Sequence, residues 1–336
     1  MATVIAPATM PPPKGSRASL VAVAVLAAAL FAAPLVGVYP VFLMKALCFA
    51  LFACAFNLLL GYGGLLSFGH AMFLGSAGYI CAHAAKVWGW PPELSILAGT
   101  LAATILGVVV GVVAIRRQGI YFAMITLAIA QMVYFYALQA PFTHGEDGIQ
   151  SVPRGMLFGV IDLSRGLAMY YTVLVIFVAG FLCIYRIVYS PFGQALKAIK
   201  ENEPRAISLG YDADRYKLVA FILSAALSGL AGSTKAIVFQ LASLTDVHWT
   251  MSGEVVLMVL LGGMGTIFGP VVGAFMLIGL ESFLSSGVTI DGTLFGPEWV
   301  PVITGAIFVI CVLAFRRGVV GEIAAWYERR RRRSRG

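Results

Sequence analysis

SPFGQALKAIKENEPRAISLGYDADRYKL, residues 190–218, is the longest polar island in an otherwise apolar chain. It carries Lys197, Lys200, Glu201, Glu203, Arg205, Asp212, Asp214, Arg215 and Lys217, and apolar runs flank it on both sides. A chain that crosses a membrane places such an island in water, and the basic balance of this one assigns it to the cytoplasmic side. The island is also patterned to fold. Ser190 followed by Pro191 reads as a helix start, a capping hydroxyl with proline at the first position. Ala195, Leu196 and Ile199 then make an apolar stripe, with Lys197 and Lys200 expected on the wet side. Pro204 stops that helix and opens a second. Ala206, Ile207 and Leu209 give the second helix an apolar face, and Gly210 is placed to end it. Asp212 or Asp214 then caps the next span. A short rigid helix joined by stiff turns to two membrane spans is built to transmit a push, which points to transport driven by a separate motor.

The composition agrees with a membrane location. Hydrophobic residues make up 60%, charged residues 11%, and the mean hydropathy is +0.92. Soluble domains carry roughly 25% charged residues, so soluble and disordered classes are excluded. The apolar runs are too long for a β-barrel, whose strands alternate over about ten residues. An all-α, polytopic helical membrane protein remains. Its 37 glycines suit helices that approach closely or break where backbone lines a path. The five cysteines, Cys48, Cys54, Cys81, Cys183 and Cys311, lie in apolar runs without metal-ligand spacing. The formal net charge of +8 does not imply nucleic acid, because it sits in the flanks of the spans.

Ten hydrophobic segments are expected, at about 18–38, 41–60, 64–85, 94–114, 119–139, 168–188, 218–240, 254–271, 272–287 and 299–315. Glycines interrupt those near 64–85 and 254–287, which are therefore candidates for broken or re-entrant helices. With both termini cytoplasmic, 18 of the 23 Lys and Arg residues fall inside. Lys45, Lys86, Arg154 and Arg165 fall at outer ends, and Lys235 within a span. Lys14 and Arg17 ahead of the first run imitate a signal peptide. That run is too long for one and lacks an A-x-A site, so it reads as an uncleaved span behind a disordered leader, residues 1–17. Residues 18–317 form the membrane domain and 318–336 a basic cytoplasmic tail suited to anionic lipid headgroups. The outer loop 140–167, with Glu146, Asp147 and Asp162, is either a linker or a docking surface for an external partner.

Two glycine-rich breaks lie about 200 residues apart, and both contain Phe-Gly after a small polar residue. The first holds Gly61, Gly63, Gly64, Ser67, Phe68, Gly69 and His70; the second holds Gly262, Gly263, Gly265, Thr266, Phe268, Gly269 and Pro270. Corresponding breaks in two halves of a transporter mark a substrate path near the membrane middle. Freed N–H groups at half-helix N-termini suit a carboxylate, freed carbonyls an ammonium, and an apolar wall an aliphatic side chain. Tight helix packing is the competing use of the same glycines. His70 reads as a hydrogen-bonded packing residue or a substrate contact, Asn57 and Gln131 as interhelical hydrogen bonders. Lys235, Glu254 and Glu281 lie near outer span ends, where they reach water or serve function. The chain has no G-x-x-x-x-G-K-[ST] motif and no hydrolytic cluster, so any ATP dependence belongs to another polypeptide.

Four ordered motifs then resemble one family. Glu203-x-x-Ala206-x-x-x-Gly210 resembles the EAA loop of ABC importer permeases, although Pro204 replaces the first alanine. Residues 197–232, GYGGLLSFGHAMFLGSAGY (61–79), RRQGIYFAMITLA (116–128) and LLGGMGTIFGPVVGA (260–274) resemble branched-chain amino acid permeases of the LivM type. The resemblance covers about residues 40–315. It implies a permease subunit, not an enzyme, in the bacterial inner membrane. Its partners would be a second permease of similar fold, two cytoplasmic ATPases carrying ATP and Mg, and a periplasmic binding protein. Glu203, Arg205, Ala206, Gly210 and Asp212 would couple to an ATPase. Gly64, Ser67, Phe68, Gly69, His70, Gly262, Gly263, Gly265, Thr266, Phe268 and Gly269 would border the path. The chain itself would bind no cofactor and no nucleic acid. Urea and short amides are the rival cargoes; a self-sufficient secondary transporter or channel is the rival class, and it lacks a convincing pair of central carboxylates.

Overall fold

The computed structural model describes residues 17–37 and 39–285, and after them 289–290, 293–294, 302–303, 305–306, 309 and 318–322. The expected leader up to residue 16, most of the tenth segment and the tail beyond 322 lie outside the described residues. Residues 1–38 and 39–336 form two units. The first contains α1 (Arg17–Ala32) and a 3-10 turn, Ala33–Val36, closed by Gly37 in the left-handed region.

The second unit is helical. Its long members are α2 (Pro40–Asn57), which continues through a π turn at Leu58–Tyr62, α4 (Pro92–Ala114), α5 (Ile120–Gln139), α6 (Gly166–Tyr189) and α9 (Ala213–Phe239). With 20 to 27 residues each, counting the π turn with α2, these five are long and apolar enough to cross a membrane. Shorter elements are α3 (His70–Lys86), α7 (Pro191–Glu201), α8 (Glu203–Ser208), α10 (Trp249–Gly262) and α11 (Gly269–Ser285). The segment expected at 64–85 is thus a non-helical stretch, 64–69, followed by α3. The expected boundary at 271/272 is displaced: the chain turns at 263–268, where Gly263 and Gly265 take positive φ.

Sequence pattern explains the packing. The α2 helix is apolar all round, and nearly every residue from Leu43 to Tyr62 is buried among α6, α9, α10 and α11. By contrast α4 has two faces. Leu97, Leu101, Ile105 and Val109 recur every fourth residue and are exposed, the pattern of a lipid-facing stripe. Gly99, Ala103, Gly107 and Ala114 are buried and let α4 press against α3 and α9. The tightest approach among α3, α4 and α9 is at Gly232 of α9, where a Cβ would run into the Leu74 carbonyl of α3.

Residues 140–167 are fastened rather than slack. Strand β1 (Ile149–Gln150) pairs antiparallel with β4 (Leu241–Ala242), and β2 (Met156–Leu157) with β3 (Ile161–Asp162). Lys86 Nζ donates to the Gln150 carbonyl at 2.7 Å, and Arg154 Nη2 to the Val238 carbonyl at 2.8 Å. The Ser164 N–H donates to Asp162 at 2.9 Å and holds its carboxyl below the usual range.

The Gly232 contact makes a direct test. Gly232→Val should lower the melting temperature of the detergent-solubilised protein, at a cost on the order of 1–3 kcal/mol for overpacking. Gly253→Ala, where nothing lies within 4 Å, should melt like the wild type. Thermal unfolding followed by tryptophan fluorescence distinguishes the two.

Candidate functional site

The polar island folds as two short helices across one end of the bundle. Ser190 Oγ accepts the Gly193 N–H at 3.3 Å and so starts α7. Asn202 Oδ1 accepts the Arg205 N–H at 3.1 Å and starts α8, a cap the sequence reading did not assign. Gly210 ends α8 with φ +90°, and Asp212, not Asp214, caps α9 by accepting the Arg215 N–H at 3.2 Å. Ala195, Leu196 and Ile199 are buried as their spacing requires.

The expected apolar face of α8 is divided. Ala206 is buried against Ile199 and Ala213, whereas Ile207 and Leu209 are 54% and 71% exposed. Glu203 points inward. Its Oε1 pairs with Lys217 Nζ at 2.6 Å and accepts Gln118 Nε2 at 2.9 Å. One carboxylate thereby binds α8 to the first turns of α9 and to the 115–119 turn. Lys217 had no local signal in the sequence, because its partner lies fourteen residues away. Arg205 is exposed on α8, and Arg215 closes an ion pair with Asp212 at 2.8 Å.

Lys197 is half-buried and Lys200 exposed, as expected of the wet face of α7, yet neither ammonium stands free in water. Both turn onto the end of α2. Lys197 Nζ stands 5.2 Å from the Tyr62 ring centroid and 5.7 Å from that of Tyr189. Lys200 Nζ donates to the Gly61 carbonyl at 2.6 Å, and its stem packs on Gly64. Burial pulls both ammonium pKa values below the ordinary lysine value, while Glu201 pushes the other way. Long stems at the edge of an apolar stripe, next to Leu196 and Ile199, were the signal available for this placement.

The two glycine breaks meet at this same end. Asn57 Oδ1 accepts the Gly265 N–H at 2.9 Å, and Asn57 Nδ2 donates to the Thr266 carbonyl at 2.8 Å. Asn57 is thus the interhelical hydrogen bonder its sequence suggests. From Gly64 the first break runs back along the bundle to His70, which is level with Ser224 of α9 and Phe56 of α2. His70 Nε2 is 2.8 Å from Ser224 Oγ, and the ring is boxed edge-on by Phe56, Phe73 and Phe221.

Three N–H groups at the starts of α3 and α11 are taken by hydroxyl side chains. Ser67 Oγ accepts the Gly69 N–H at 3.2 Å, Ser252 Oγ that of Ala71 at 2.9 Å, and Thr266 Oγ1 that of Gly269 at 3.0 Å. Ser67, Gly69, His70, Gly262, Gly263 and Gly269 are buried, whereas Gly64, Phe68, Gly265, Thr266 and Phe268 keep exposed surface. A cavity of about 440 Å³ opens between Gly64, Leu66 and Phe68 on one side and Ile120, Ala123, Met124 and Leu127 of α5 on the other. Its wall is apolar and fits an aliphatic side chain.

At the opposite end the charges pair with one another rather than reaching water singly. Lys235 pairs with Asp246, and Lys45 with Glu281 at 3.5 Å. Glu254 lies within electrostatic reach of all four. Among the described residues no group of three His, Cys, Asp or Glu side chains could hold a metal ion.

Comparison with known proteins places this sequence in a family. The profile described as branched-chain amino acid transport system / permease component matches residues 38–312. The high-affinity branched-chain amino acid transport system permease proteins LivM of Escherichia coli (strain K12) and Salmonella typhimurium are 29% and 28% identical over 246 residues. That match is 66% of this chain and 58% of each relative, so the chain spans well under two thirds of their length. The probable branched-chain amino acid transport permease protein LivM of Methanocaldococcus jannaschii is 26% identical over 240 residues, 68% of either chain. No solved structure matches the chain with significance.

The Lys235–Asp246 pair, with side chains 15% and 11% exposed, yields a stability test. Lys235→Met leaves a buried carboxylate alone and should cost about 3 kcal/mol. Adding Asp246→Leu should recover most of that loss, because the unpaired charge is gone. Melting of the two variants in detergent checks both signs.

Proposed function

The chain belongs to the family of branched-chain amino acid transport system permease components, and from that premise we propose that it is the membrane permease subunit of an ATP-driven importer of branched-chain, aliphatic amino acids. It is a multi-pass inner-membrane protein. The observation that carries the reading is α8. This helix presents Ile207 outward, exposed Leu209 and Tyr211 follow it in the turn to α9, and the Glu203–Lys217 pair, with its lysine buried, braces it from beneath. An exposed apolar edge on a rigid, basic, water-side element is what a separate motor needs in order to grip and push.

In this reading the α7–α8 end faces the cytoplasm, where two ATPases bind ATP and Mg. Arg205, Gly210 and Asp212 set the shape of the contact. Glu203 and Ala206 act from below, holding α8 against α9. Residues 1–17 are a leader, 18–317 the permease domain with the coupling segment at 190–217, and 318–336 a tail for anionic lipid headgroups. The loop at 140–167, tied to α9 and tipped by exposed Phe158 and Val160, receives a periplasmic binding protein. A second permease of similar fold completes the membrane part.

The cargo path runs along the accessible sides of the breaks, past Gly64, Phe68, Gly265, Thr266 and Phe268. The cavity between the first break and α5 accommodates the branched side chain, with hydrophobic transfer as its source of affinity. Ser67, Gly69, His70, Gly262, Gly263 and Gly269 are sealed in this conformation and shape the path from behind. Closing and opening of the ATPases shifts α7 and α8 and alternates access to the path.

Purification from native membranes in mild detergent should bring down two P-loop ATPases and a second permease. The reconstituted complex should take up leucine, isoleucine or valine only with ATP, and urea and short amides should not compete. Glu203→Lys should cut uptake at least tenfold and weaken coupling to ATP hydrolysis, because it faces Lys217 with a like charge. Ile207→Asp should reduce ATPase recovery by a similar factor while the protein still inserts. A chain that purifies alone and moves solute without ATP sinks the reading, and uptake of urea instead of leucine reassigns the cargo.

A further inference from the structure

Three separate pieces of the chain are hydrogen-bonded together within one helical turn of α2. Gly61 lies in the last turn of that helix, where carbonyls have no partner further along. Lys200 of α7 supplies the partner at 2.6 Å. A lysine suits the position, since a compact ammonium can aim a donor at a single carbonyl, and the C-terminal end of a helix favours a cation. Gly61 also packs on the second break: a Cβ there would meet the Asn57 side chain and, at 2.7 Å, the Gly265 nitrogen. One turn earlier, Asn57 takes the Gly265 N–H and gives to the Thr266 carbonyl. Only an amide side chain of this length provides an acceptor and a donor side by side for an adjacent N–H and C=O. These two partners also fix which way the amide points.

We propose that Lys200 and Asn57 work in series as a latch, Lys200 tying α7 to the end of α2 and Asn57 tying that same end to the 263–268 turn, so that a displacement of α7 moves both glycine breaks together. The proposal rests on the permease reading above and names how a push on the island reaches the path. Lys200 and Asn57 are positioning residues; neither touches cargo. Supporting contacts run parallel to the latch: Lys197 over Tyr62, and Leu196 against Gly63. They hold α7 near α2 by apolar and cation–π contact but do not reach the second break.

The test uses the complex purified from native membranes and reconstituted in liposomes, with uptake and ATP hydrolysis measured in one preparation. Lys200→Met and Asn57→Leu should each leave hydrolysis within about twofold of wild type and cut uptake per ATP at least tenfold. The double variant should be no worse than the more severe single, because two links of one chain fail as a unit. Lys200→Arg should restore at least half of the coupling. Uptake and hydrolysis falling in step, a double variant falling by the product of the singles, or normal coupling in either single variant would each overturn the latch. A second readout covers variants of low stability. Spin labels at exposed Ala198 and exposed Met264, each paired with a reference label at Val175, should both respond to ATP in the wild type. In Lys200→Gln only the Ala198 label should respond; a preserved Met264 response overturns the latch. A wild-type complex with no ATP response at either label overturns the permease reading itself, an outcome separate from the loss of the Met264 response alone.

Discussion

Every backbone N–H and C=O within the apolar layer must find a partner inside the protein, because hydrocarbon offers none. Continuous helices meet this demand automatically. The two glycine breaks do not, and the polar residues around them are distributed accordingly. Ser67 and Ser252 serve the start of α3, Thr266 serves the start of α11, and Asn57 and Lys200 serve the loose ends of the second and first break. The breaks are therefore costly features that the rest of the sequence compensates. Close helix packing alone would not require broken backbone at these positions.

The same demand organises the two ends of the molecule differently. At the α7–α8 end, side chains reach into the bundle to satisfy backbone, and the outward surface carries apolar side chains. At the other end, charges neutralise one another in pairs, Lys235 with Asp246 and Lys45 with Glu281, and backbone pairs with backbone through β1 and β4. The first arrangement leaves a face available for a partner, while the second ties a long connection to the bundle.

Much of this was legible in the residues. Caps and stops at Ser190, Pro204 and Gly210 have local causes and fell where the sequence puts them, and the apolar stripe of α7 follows from spacing alone. The glycine runs announced broken helices. What the sequence hid was direction. Whether Lys197 and Lys200 face water or a helix end depends on what lies under α7, and that is α2, more than 130 positions earlier. The inward turn of Glu203 depends on Lys217 and Gln118, and only folding brings those near. The exact turn of the second break was misplaced because 254–287 is apolar on both sides of it, so hydropathy cannot mark the corner that Gly263 and Gly265 make by their backbone geometry.

Helix α9 runs unbroken for 27 residues, about 40 Å at 1.5 Å per residue, and is anchored at both extremities. Glu203 holds Lys217 at one end; Arg154, β1 and Asp246 hold Val238, β4 and Lys235 at the other. A stiff rod fixed at both ends cannot shift on one face without disturbing the other. On the permease reading, a binding protein on the 140–167 loop and an ATPase on α8 would share a coupling free energy through this rod, and linkage would make that coupling reciprocal. If occupancy of one face strengthens binding at the other by some factor, occupancy of the second strengthens binding at the first by the same factor.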